Sequence, residues 1–159
     1  KLTLTADKST LNSGDTVVIT AEINALTDIN KASLQINLAS SLVFDSSVAS
    51  VFNKSGNTIT YSLGNIVANS IQIVKLNAHL SKDVDTSKVT KVTTTGTLNY
   101  SNSTGATMTP LFASLDVNVG GSSLLASIFG AFGWGSGLTI FLIALLILLI
   151  AIAVKRLMV

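Results

Sequence analysis

"DTVVITAEIN" runs from Asp15 to Asn24, directly behind the turn-forming "NSG" of Asn12–Gly14. Val17, Ile19, Ala21 and Ile23 fall on one side of a period-two pattern, and Val18, Thr20 and Glu22 on the other. Residues of a strand point alternately to its two faces, so this run predicts a half-buried strand with a hydroxylated outer face. A helix would need apolar residues three and four apart, and no stretch before Gly120 holds that spacing for three turns.

The same pattern extends outward in both directions. Upstream lies "LTLTA" (Leu2–Ala6); downstream follow "KASLQINL" (Lys31–Leu38), "LVFD" (Leu42–Asp45) and "NTITYSL" (Asn57–Leu63). "SIQIVKLNAHL" (Ser70–Leu80), "KVTTTGTLNY" (Lys91–Tyr100) and "LFASLDVNV" (Leu111–Val119) complete the set. Each run is rich in Val, Ile, Thr or aromatic residues and is bounded by Gly, Asn, Asp or Ser. Seven to nine short strands, each apolar on one face, predict two antiparallel sheets packed as a β-sandwich over residues 1–119.

The remainder reads differently. "VGGSSLLASIFGAFGWGSG" (Val119–Gly137) opens with paired glycines, which makes residues 120–137 a flexible joint with a short apolar helix inside it. Residues 138–154 then carry no charge. At helical rise these seventeen residues span about 25 Å, and a start near 129–134 brings the length to the roughly 30 Å of a hydrocarbon core. Leu138, Ile140, Phe141, Leu142, Ile143, Leu145, Leu146, Ile147, Leu148, Leu149, Ile150, Ile152 and Val154 form the expected anchor. A leucine, isoleucine or phenylalanine contributes roughly −0.3 to −0.6 kcal/mol to insertion at the helix centre. A sandwich of this size has no shell to bury such a helix on every side, so the expected partner is the lipid bilayer.

Trp134 suits the outer headgroup level, and Lys155 and Arg156, within the basic tail 155–159, mark the cytoplasmic end. The sandwich is then extracellular on a single-pass protein; the reverse, a tail-anchored orientation, rests on the same two charges. Ala126/Gly130, Ala131/Gly135 and Gly133/Gly137 have the small-xxx-small spacing of close helix packing, or simply form a hinge. The chain opens "KLTLTADKST", with neither Met nor an apolar leader, as expected if a leader was removed or a longer chain precedes it.

Charge separates the two parts again. Eight lysines before Gly120 balance all eight acids, so the formal +2 is Lys155 and Arg156 alone. A neutral sandwich offers no basic face for nucleic acid. Without cysteine there is no disulfide scaffold and no thiolate metal site.

"LTADKSTLNSGDTVVITAEI" (Leu4–Ile23) and "GNTITYSLGNIVANSIQIVKLNAHL" (Gly56–Leu80) resemble the bacterial and archaeal surface repeat called domain of unknown function eleven. That family's Leu-Pro-x-Gly after the third strand is absent. "LASSLVFDSSV" (Leu38–Val48), which stands there, is similar to cohesin-type modules. The first resemblance implies an immunoglobulin-like sandwich of the kind repeated on prokaryotic surface proteins, and neither resemblance brings a catalytic residue.

Catalytic chemistry is sparse. His79 is the lone histidine, which removes a multi-histidine metal site; in "VKLNAHL" it reads as an exposed or half-buried strand residue. Asp83 and Asp85 read as a solvated turn rather than a Ca²⁺ site, and Glu22, on the outer face, is poorly placed to promote an isopeptide cross-link. Asn53, Asn99 and Asn102 begin glycosylation sequons. No enzyme activity, metal or cofactor is expected.

The expected function is a non-enzymatic surface protein with a structural, adhesive or lattice role, self-associating or meeting other surface proteins. One alternative is a filament subunit whose apolar helices form the core. Another is a carbohydrate- or protein-binding receptor module, for which Tyr61, Tyr100 and a few phenylalanines offer a thin aromatic supply.

Overall fold

The computed structural model describes residues 1–48 and 51–120. The chain divides after Gly121 into two units, and the described residues belong to the first. The joint from residue 121 on, the span at 138–154 and the basic tail lie outside the described residues. Among the described residues no helix is long and apolar enough to cross a membrane.

Ten strands form two sheets. β1 (Leu2–Ala6), β3 (Thr16–Ala25), β8 (Ser70–Leu80) and β5 (Leu42–Ser47) make a four-stranded sheet in the order β1-β3-β8-β5. The six-stranded sheet has the order β2-β10-β9-β4-β7-β6. Its members are β2 (Thr10–Leu11), β4 (Ile29–Asn37), β6 (Phe52–Ser55), β7 (Thr58–Ile66), β9 (Lys91–Asn102) and β10 (Leu111–Val119). The eight runs read from sequence are all strands; β2 and β6 are additions. The sheets are antiparallel except for one pair: β2 lies parallel to β10, with Thr10 opposite Asn118 and Leu11 opposite Val119.

That exception follows from how the chain begins. β1 belongs to the smaller sheet, and after Ala6 the chain crosses to the larger one. Asp7 fixes the crossing: its N–H donates to the Val18 carbonyl at 3.1 Å and its carboxylate accepts the Val18 N–H at 2.7 Å. β1 can lie close over β9 because residue 96 is glycine; a Cβ there would sit 3.2 Å from the Leu4 side chain.

Alternation supplies the core. Val17, Ile19, Ala21 and Ile23 of β3 and Val74, Leu76, Ala78 and Leu80 of β8 point inward. They meet Leu34 and Ile36 of β4, Ile59 and Tyr61 of β7, and Leu98 of β9 from the other sheet. The described core is closed within residues 2–119, so residues 1–120 hold what an independent domain needs. Outward positions carry hydroxyls and amides, as on β9, where Thr93, Thr95 and Asn99 are exposed.

Candidate interaction surface

The acid and imidazole side chains are scattered. On the β5 edge a bulge between Phe44 and Ser46 leaves Asp45 unpaired and brings its carboxylate to His79 Nδ1 at 2.6 Å. His79 was legible as a half-exposed strand residue; its partner was not, because a bulge sets it. Asp83 and Asp85 lie in the turn between β8 and β9. Ser87's hydroxyl and backbone N–H and Lys88 hold the exposed Asp85 carboxyl below the ordinary value. Asp116 is lowered chiefly by the Thr93 hydroxyl at 2.7 Å and also by Lys91 at 2.9 Å. Asp15 is lowered chiefly by the Asn12 backbone N–H at 2.9 Å. Glu22 is exposed on the outer face, between Thr3 of β1 and Ile73 of β8. Among the described residues no three metal-binding side chains come together.

The aromatic supply narrows further. Tyr61 is fully buried, its burial raises its pKa, and its hydroxyl approaches Ser47 without reaching hydrogen-bond geometry. Phe52 packs edge-on against Phe44 at 5.3 Å and tilted against Tyr61 at 6.1 Å. Tyr100 is half-buried, which leaves Phe112 as an isolated exposed ring on β10.

The three sequons sit in different settings. Asn53 is exposed on β6, at the edge of its sheet. Asn99 is exposed on β9, but the Ser101 of its sequon is buried. Asn102 is half-buried at the end of β9, and its side-chain oxygen accepts from Thr104 N–H, Thr104 hydroxyl and Ala106 N–H.

The expectations for the C-terminal part fall elsewhere. The anchor residues from Leu138 to Val154, and the interface residues Trp134, Lys155 and Arg156, lie outside the described residues. So do all six small residues of the expected helix-packing motif, Ala126, Gly130, Ala131, Gly133, Gly135 and Gly137.

An apolar surface appears where the sequence reading expected hydroxyls. Seven large apolar side chains are more than half exposed among the described residues: Leu26, Val48, Val51, Val67, Ile71, Ile73 and Phe112. Five of them gather around the start of β8. Ile71 and Ile73 lie on its outer face, and Leu26 follows Ala25, which pairs with Ser70. The Val67 carbonyl accepts the Ser70 hydroxyl, and Val48 lines a shallow depression with Gln72, Ile73 and Lys75. The sequence carries a signal for this. In "SIQIVKLNAHL" the apolar phase is odd-numbered through Ile71 and Ile73 and even-numbered from Val74 on. Because β8 keeps an unbroken register with β3, no bulge absorbs the change, and the two isoleucines face outward.

No family model matches the chain, and no curated protein matches it. Solved structures share its fold. It is similar to the N-terminal domain of the Streptococcus gordonii adhesin Sgo0707 (TM-score 0.57, 14% identity, covering 75% of this chain and 32% of that one). It also resembles the major pilin SpaD of Corynebacterium diphtheriae (TM-score 0.61, 12% identity, 73% of this chain and 34% of that one). A non-cellulosomal cohesin from the archaeon Archaeoglobus fulgidus is similar over 81% of this chain and 98% of its own length (TM-score 0.55, 10% identity). The chain thus spans about a third of the adhesin and pilin structures and nearly all of the cohesin. At these identities the likeness establishes an immunoglobulin-like sandwich of the kind found in surface modules, and nothing finer.

Proposed function

We propose that this chain is a non-enzymatic cell-surface protein whose sandwich works by protein–protein contact. The observation that carries the reading is the apolar surface at the start of β8, on a domain whose described acids and single histidine are scattered. Adhesin, pilin and cohesin domains of the same fold support a structural or adhesive role. Residues 138–154 anchor the protein in the membrane, with Trp134 at the outer interface, Lys155 and Arg156 inside, and the sandwich outside. The uncharged length of that span and the hydrated, nearly neutral domain before it support this arrangement. The spacing of Ala126 with Gly130, Ala131 with Gly135 and Gly133 with Gly137 suits close approach of such helices from neighbouring copies. Asn53 is the sequon best exposed for modification.

Fractionation tests the proposal. The full chain should enter membranes and need detergent for release, residues 1–120 alone should dissolve in buffer, and protease added to intact cells should reach the sandwich. A full chain that is monomeric in plain buffer overturns the anchor. Regular fibres built from this chain would replace it with the filament reading, in which the apolar helices pack on one another.

A further inference from the structure

The outer edge of β10 is covered along only part of its length. β10 keeps an unbroken register with β9 from Leu111 to Asn118, so its residues turn their backbone groups alternately to the two sides. The odd-numbered ones face β9, as where the Val119 N–H donates to the Thr90 carbonyl at 2.8 Å. The even-numbered ones face outward: the Asn118 N–H reaches the Ser9 carbonyl at 3.0 Å and the Gly120 N–H the Leu11 carbonyl at 2.8 Å. β2 covers no more than this, being two residues long, and β1 pairs with β3 alone. Phe112 and Ser114 therefore present two N–H and two C=O groups that meet no partner among the described residues. The chain bordering this stretch is described throughout, over residues 7–9 leading into β2 and 108–110 leading into β10. Burial follows the cover. Val117 and Val119, beside β2, are buried, whereas the inward-facing Leu111, Ala113 and Leu115 are only half-buried. An edge with unpaired backbone groups and incompletely covered apolar residues is a template for strand addition.

We infer that residues 111–115 pair with the same residues of a second copy of this chain, antiparallel and across a two-fold axis between the two Ala113 residues. The inference goes beyond the contact reading given above, since it rests on β10 and not on β8. The stretch is complementary to itself. Centred on Ala113, Phe112 lies opposite Ser114 of the second copy and Leu111 opposite its Leu115. Phe112 and Ser114 both direct their backbone groups outward, so each facing pair exchanges two hydrogen bonds, four in all. On the inner face Leu111, Ala113 and Leu115 meet their counterparts and gain the cover they lack in the single chain. On the outer face the two Phe112 rings, each 72% exposed in the single chain, lie diagonally across the junction and within reach of each other. No charge lies within the stretch. The first one beyond β10's uncharged start, Asp116, is tied to Lys91 at 2.9 Å and comes opposite Pro110 rather than a like charge. A two-fold contact satisfies both copies with one surface. It is small, so it forms weakly in solution and gains strength where many copies share one surface.

A cysteine-free chain allows a clean test, on residues 1–120 in buffer and on the full chain in detergent. The central facing pair does not exchange hydrogen bonds, and the Cα atoms of such pairs lie about 4.5 Å apart, within disulfide reach. Ala113→Cys under mild oxidation should therefore form a disulfide dimer at least about tenfold faster than Thr95→Cys, an exposed control on β9, one strand in from the edge. Adding Ser114→Pro to Ala113→Cys should return the rate to that of the control. Proline removes an N–H that faces the open edge and leaves the β9 ladder whole. Should that variant melt early, Phe112→Lys with Ser114→Lys makes the same test through exposed side chains, since it sets lysine against lysine across the junction. Equal rates at positions 113 and 95, in residues 1–120 or in the full chain, overturn the inference. A position-113 rate unmoved in the folded edge variants overturns it as well.

Discussion

Two exposed stretches of this molecule's sheets are built in opposite ways. β6 is four residues long, exposed at every position, and carries Asn53 and Lys54 at its middle. A short edge bearing a lysine resists addition of another strand, because pairing would strip water from the charge. The start of β8 has no charge, and two isoleucines stand where hydroxyls would keep it wet. β6 carries the charge that keeps an edge wet, and the Ser70–Val74 stretch of β8 carries none. The wetness of a strand is thus written residue by residue.

The largest effect expected from probing this contrast lies within β8 itself. Leu76→Ala removes a fully buried side chain and should cost about 2–5 kcal/mol, whereas Ile73→Thr on the outer face should change stability by less than about 0.5 kcal/mol. Urea unfolding of residues 1–120 measures both, and equal losses would mean that Ile73 is not on a free face. Next comes conversion of the defended edge. Lys54→Ile should raise self-association in sedimentation runs while leaving stability within about 0.5 kcal/mol; an unchanged sedimentation profile would show that the lysine is not what blunts β6.

Beneath that edge, Tyr61→Phe removes a buried hydroxyl that lacks a good partner. It should leave stability unchanged or raise it by up to about 1 kcal/mol, and a clear loss would reveal a hydrogen bond to Ser47. Acid should have the smallest effect. Asp15, Asp85 and Asp116 are held below their ordinary value of 3.8, so their charged forms favour the fold. That contribution is present above pH 3.8 and fades as pH falls through the lowered values. Asp85 and Asp116 are exposed and Asp15 is half-buried, so thermal melts should soften only gradually with acid.

Much of the fold was legible because alternation is a strong signal wherever one face is buried. "DTVVITAEIN" and "KASLQINL" place Ile19, Ile23, Leu34 and Ile36 inside, with Thr20 and Glu22 outside. β2 escaped because two residues make no pattern, and β6 because all four of its residues are wet and its pairing with β7 is a matter of backbone alone. The parallel contact of β2 with β10 is invisible for a similar reason: it depends on where the first strand changes sheets. The apolar surface was half legible. The phase change at Ile73–Val74 stands in the sequence, but its meaning waits on the register with β3 and on where β5 ends.

The side-by-side course of β2 and β10 also decides how the domain answers a pull. Asn118 N–H bonds to the Ser9 carbonyl at 3.0 Å and Gly120 N–H to the Leu11 carbonyl at 2.8 Å. Gly120 comes so near Asn12 that a Cβ would stand 2.6 Å from its side-chain oxygen. Tension applied between Lys1 and Gly120 drags these two strands in opposite senses along their length. Both bonds are then sheared together instead of being unzipped in turn, and the domain resists stretching at the point where the chain leaves it.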